Sequence, residues 1–187
     1  MKIQKLHDLF LDELREIYDA EKQLLKALPK LAGAASAPQL KAVFEQDQTA
    51  TADQILRLEQ IFDQMDEKPV ARPCEAMKGL IKETEKFGPD MEESPLRDAG
   101  LIGAAARMKR YEMNAYTSVR TVADMLGYTP AAKLIEATLH DERVLDRKLT
   151  ELEYTELAEQ LICETPLRRR PPMAHITATI IASAPAA

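Results

Sequence analysis

The chain has 187 residues, is 30% charged and 45% hydrophobic with only 6 Gly, and carries a formal net charge of −6. That length suits one domain with a sizeable core, and the Ala/Leu/Glu/Lys-rich composition favours helix throughout, so an all-α fold is expected. The acidic excess comes from interspersed signs, Arg168 to Arg170 being the exception, which argues against nucleic acid as the main partner.

No apolar run approaches the roughly 20 residues that span a bilayer, so no membrane association is expected. Met1 to Phe10 reads as the start of an amphipathic helix rather than a signal peptide, which makes a cytoplasmic location the expectation. Cys74 and Cys163 lie far apart without CxxC spacing and are read as free thiols.

A first helix is expected from about Lys2 to Ala34, stopped by Gly33 and the stretch ending at Pro38. Leu14, Ile17, Glu21, Leu24, Leu28 and Leu31 recur at steps of three and four, the seam of a helix that faces a core. Glu21 is the one carboxylate on that stripe, where an unpaired charge costs several kcal/mol. The short connection implies an antiparallel second helix. Its seam (Leu40, Phe44, Asp47, Thr51, Gln54, Leu58, Ile61, Met65) is apolar at both ends and polar in the middle.

Between Lys68 and Pro95 the pattern breaks around several Pro and Gly residues, leaving room for a short helix over Met77 to Lys86 inside a long crossover. A third long helix follows from Leu96 to Leu126, with Glu112 interrupting a seam of Ala105, Met108, Ala115, Val119, Val122 and Leu126. Gly127 as C-cap and Thr129-Pro130 as helix start mark a sharp turn into a fourth helix, expected to end near Ile162. Its seam reads Ile135, Thr138, Glu142, Leu145, Leu149 and Leu152, with Asp146 beside Glu142 one turn on. Residues 1–162 are thus expected to form one four-helix bundle of two antiparallel hairpins. Residues 163–187, without amphipathic period, are expected to form an irregular or disordered tail.

Depth can be counted from the turns. Glu21 lies about fifteen residues before the first turn and Thr51 about fifteen after it, the same height at about 1.5 Å per residue. Glu112 and Leu145 match about the second turn, which puts Glu142 and Asp146 within one helical turn of that level. Converging carboxylates in an apolar bundle repel one another unless a cation neutralises them. An oxygen-dominated donor set suits iron or manganese, as one ion or a pair, and zinc is disfavoured because no His or Cys lies on these seams. The alternative for each Glu is pairing with Lys or Arg, or contact with water.

The runs Tyr18-Asp19-Ala20-Glu21-Lys22-Gln23, Arg57-Leu58-Glu59-Gln60-Ile61-Phe62, Tyr111-Glu112-Met113-Asn114-Ala115-Tyr116, Leu126-Gly127-Tyr128 and Ala132-Lys133-Leu134 resemble the YciE/YciF-type ferritin-like family of bacterial proteins, over about Lys5 to Leu161. The resemblance implies a ferritin-like four-helix bundle, a homodimer, a stress-response association and a dinuclear metal centre. By position it implies Glu21, Glu112, Glu142 and Asp146 as acidic ligands, with Gln54 beside them. Asp47 stands where relatives often have His, and Thr49-Ala50 where many have acidic residues; Asp47 can still bind a hard cation. The sequence therefore supports two expectations. One is a bundle that binds iron or manganese and handles metal or peroxide under stress. The other is a metal-free structural or interaction bundle that has lost part of the site.

Overall fold

The computed structural model describes residues 3–88 and 90–152, and all the regular secondary structure among them is helical. Helix α1 spans Leu6–Ala34, α2 Pro38–Gln64, α3 Glu75–Thr84 with a 3-10 turn over Glu85–Phe87, α4 Pro95–Leu126 and α5 Thr129–Leu152. The first helix starts later than the expected Lys2, because the Asp8 carboxylate takes the backbone N–H groups of Gln4 and Lys5 at 3.0 Å and fixes the entry there. The short crossover helix begins two residues before the expected Met77. Cys74 caps it, its Sγ accepting from the Met77 N–H. The expected end of the fourth helix near Ile162, the tail 163–187 and Cys163 lie outside the described residues.

The hairpins α1/α2 and α4/α5 pack side by side, α1 against α4 and α2 against α5. Asp98, in the first turn of α4, accepts the Ser36 and Ala37 N–H groups of the α1–α2 turn at 2.8 and 2.7 Å. At the far end the Tyr128 hydroxyl meets His7 Nδ1 at 3.0 Å. These contacts make α4 antiparallel to α1 and parallel to α2, so the segment between α2 and α4 must climb the length of the bundle. It does so along the α1–α4 edge. Arg72 donates its N–H to the Arg15 carbonyl and pairs with Asp12 and Glu16, and the Cys74 N–H reaches Asp19 Oδ2 at 2.8 Å. The Phe87 ring then seats against Gly100, where a Cβ would collide with it.

The core is divided in two. At one end Leu24, Leu28, Leu40, Phe44, Leu101, Met108, Leu145 and Leu149 pack together. Phe10, Leu14, Ile17, Leu58, Ile61, Phe62, Val119, Ile135 and Leu139 form the cluster at the other end. Glu21, Asp47, Thr51, Gln54, Lys109, Glu112 and Glu142, all buried, fall where one cluster gives way to the other along each long helix. Burial of the apolar stripes supplies the main drive for folding, and the level between them is where the bundle departs from it.

Candidate functional site

Each long helix contributes to this level through the seam that buries its leucines. Helix α1 brings Glu21, α2 brings Asp47, Thr51 and Gln54, α4 brings Lys109, Glu112 and Tyr116, and α5 brings Thr138 and Glu142. At the hub is the Lys109 ammonium, 1% exposed. It donates hydrogen bonds to Asp47 Oδ1 at 2.8 Å and Glu142 Oε1 at 3.2 Å. Its Nζ also lies 2.9 Å from Glu112 Oε2 and 3.0 Å from Glu142 Oε2, as ion-pair contacts without hydrogen-bond geometry. Gln54 Nε2 donates to Glu142 Oε1 at 2.6 Å, and the Tyr116 hydroxyl donates to Glu21 Oε1 at 2.7 Å.

The electrostatics follow from depth. Burial, reinforced by the charge of Glu142, pushes the Glu21 carboxyl up to about 8, against the opposing pull of Lys109 and Tyr116. Burial likewise holds Glu112 well above the usual carboxylate range, with Glu142 adding repulsion and Lys109 relieving part of it. Glu142 is raised by burial too, and Lys109 counters this most strongly. Desolvation alone would depress the Lys109 ammonium, but the charges of Asp47, Glu112, Glu142 and Glu21 outweigh it and keep the group charged. Four carboxylates face one ammonium, a formal −3, and the proton that Glu21 retains relieves part of that excess.

The expected residues are thus mostly brought together. Glu21, Asp47, Glu112 and Glu142 act electrostatically on one another, and Gln54 is bonded to Glu142. Asp146 is directed elsewhere: its Oδ1 lies 3.9 Å from Arg110 Nε and its side chain is 24% exposed. His140 is exposed, as its position opposite the seam requires. Of the tyrosines near this level, Tyr116 bonds a core carboxylate, Tyr18 donates to Glu59, and Tyr111 meets Cys74 Sγ at 3.0 Å.

Sequence reasoning missed Lys109. Its signal was the spacing to Glu112, three residues on, which places both on one helical face beside Ala105 and Met108.

An iron or manganese pair fits this donor set poorly. The point shared by Asp47, Glu112 and Glu142 is filled by Nζ, at distances beyond the roughly 2.0–2.6 Å that oxygen-ligated Mg²⁺ and Ca²⁺ require. Among the described residues, no group of three or more His, Cys, Asp or Glu side chains is spaced to hold a metal ion. Glu21 Oε2, Thr51 Oγ1, Gln54 Oε1 and Glu112 Oε1 nevertheless remain buried without a hydrogen-bond partner.

Two antiparallel hairpins, a full-length crossover and a carboxylate-bearing level at mid-bundle define a ferritin-like four-helix bundle. Comparison with known proteins places it more narrowly. The chain belongs to the family described as a domain of unknown function, DUF892, which matches residues 5–162. Over 153 residues it is 39% identical to Protein YciF of Escherichia coli, covering 81% of this chain and 92% of that one. The crystal structure of the E. coli stress protein YciF superposes with a TM-score of 0.80 at 37% identity, over 84% of this chain and 99% of that chain. YcfI from Rhodopseudomonas palustris, proposed to be a structural protein, gives a TM-score of 0.77 at 32% identity, over 80% of this chain and 95% of its own. Among the described residues no helix is long and apolar enough to cross a membrane.

Proposed function

We propose that this chain is a stress-associated structural bundle whose mid-core carboxylates are held together, and partly neutralised, by its own lysine, so that it folds without iron or manganese. The observation that carries the reading is the Lys109 ammonium, within 3.2 Å of Asp47, Glu112 and Glu142. A resident ammonium occupies the centre of the donor set and repels a divalent ion brought beside it. The stress association is taken from the solved relative, and the structural role agrees with that proposed for the Rhodopseudomonas protein.

Metal quantitation after aerobic purification tests this, with thermal melts in the presence and absence of a chelator. Far less than one ion per chain and an unchanged melting temperature are expected, since a metal bound only to the folded state would raise it. Stoichiometric iron or manganese, with a melt that falls on chelation, would overturn the reading. It would instead favour the second one, metal or peroxide handling at Glu21, Asp47, Gln54, Glu112 and Glu142. The observation on that side is the set of unpartnered oxygens on Glu21, Gln54 and Glu112, which a cation could satisfy. The homodimer implied by the resemblance belongs to either reading, and sedimentation of the purified chain reads it directly.

A further inference from the structure

We infer that Lys109 and Asp47 are the reactants of an internal cross-link: their side chains condense, with loss of water, to an amide that ties α4 to α2. The inference rests on the reading that Lys109 rather than a metal is the native cation, and it makes their ion pair the precursor of a covalent bond. Nζ donates to Asp47 Oδ1 at 2.8 Å, and the two side chains are 1% and 4% exposed. Both are anchored on long helices, so amine and carboxyl are held where proximity replaces a bimolecular encounter. The layer is closed to bulk water, which in solution favours hydrolysis of such an amide over its formation.

The protons have a route. The amine must be neutral to attack, and Glu112 Oε2 and Glu142 Oε2 lie 2.9 and 3.0 Å from Nζ, buried and without a hydrogen-bond partner of their own. One of them takes a proton from the ammonium. Nζ then bonds to Asp47 Cγ, and the oxygen that leaves Cγ departs as water with two of the three ammonium protons, the third staying on the amide nitrogen. The assisting Glu ends with the charge it began with, and no oxidant or other reagent is consumed. One ammonium and one carboxylate disappear together, so the formal charge of the layer is unchanged while two ions whose burial is costly are removed. Because the ammonium is the resting form, the amide accumulates slowly from the ion pair. Asp47 is the reactant among the carboxylates because Glu142 is also held by Gln54, and Glu112 lies on the same helix as Lys109. Helices α2 and α4 do not pack as a pair, so the bond joins the two hairpins across the bundle. Like a disulfide, it restricts the unfolded chain, here between positions 62 apart.

The test is intact-mass spectrometry under denaturing conditions on the full chain, incubated for days at neutral pH just below its melting temperature. A species lighter by one water is expected to increase with time and to melt higher than the starting protein. Trypsin should release from it a branched peptide joining Ala42–Arg57 to Met108–Arg110. Lys109→Arg, which keeps the positive charge but not the amine, should stay at full mass, as should wild type incubated in denaturant. The wild-type result stands as the test even if that variant does not fold. A wild type that stays at full mass, or that loses water without yielding the branched peptide, overturns the inference; if that sample holds no metal, the structural reading survives. Cross-linking in denaturant at the rate seen in the folded chain overturns it as well, because the fold would then not be bringing the groups together. Stoichiometric iron or manganese in the purified wild type removes the reading on which the inference stands.

Discussion

At the scale of single residues, the layer makes its members interdependent. Lys109→Met leaves Asp47 and Glu142 buried without their cation, and loss of one partner from a buried ion network costs about 3–5 kcal/mol. A fall of that size in denaturant-derived stability is the expected outcome. The pH dependence is unusual in sign. Folded Glu21 keeps its proton up to about pH 8, whereas the unfolded chain releases it near 4.5. Between those values the folded state binds more protons, so the contribution is fully present below about 4.5 and is lost as pH rises through 8. Its slope is at most about 1.4 kcal/mol per pH unit for this one proton. Stability should therefore decline from pH 5 to 8, and Glu21→Gln should flatten that decline in denaturant midpoints measured across the range. A wild-type profile that rises with pH would contradict the buried, protonated Glu21 described here.

At the scale of elements, one carboxylate organises the end of the bundle where three helices meet. Asp98 on α4 accepts two backbone N–H groups from the turn into α2, doing between helices what an N-cap side chain does within one. Asp98 is 1% exposed, so Asp98→Ala strands both donors in the interior. The expected cost is roughly 2–3 kcal/mol by thermal or chemical unfolding. Gly127, in the left-handed region at φ +72°, makes the sharp α4–α5 turn, and Gly127→Ala should cost about 1 kcal/mol. The helices and turns were legible in the sequence because three-four spacing and punctuation by Gly and Pro are local. Gly127 and the Thr129-Pro130 start sit where the pattern put them. Asp98 was not legible, since its partners lie more than 60 positions away.

For the whole molecule, a charged level separates two apolar clusters, and such levels often cost stability in exchange for a fixed register. Replacing Asp47, Gln54, Lys109, Glu112 and Glu142 together by Leu, Leu, Met, Leu and Leu should raise stability by about 1–4 kcal/mol, whereas replacing Lys109 alone should lower it. Chemical unfolding of the combined variant beside the single variant checks both halves of that statement. If the combined variant is less stable than the single variant, the layer is more than an ion network.

The sequence by itself determined the four long helices, their pairing into hairpins, and the depth at which carboxylates interrupt each apolar stripe. Helical rise and period are fixed quantities, so counting from a turn locates a residue in height. Glu21, Asp47, Glu112 and Glu142 accordingly lie at one level. What neutralises them was decided only in the tertiary structure. Lys109 sits at the flank of the α4 seam, and its four-carbon stem lets the ammonium reach either outward to water or inward to the core. Nothing in α4 alone chooses between those directions. The choice falls inward because Asp47 and Glu142, from two other helices, present their oxygens where the stem ends.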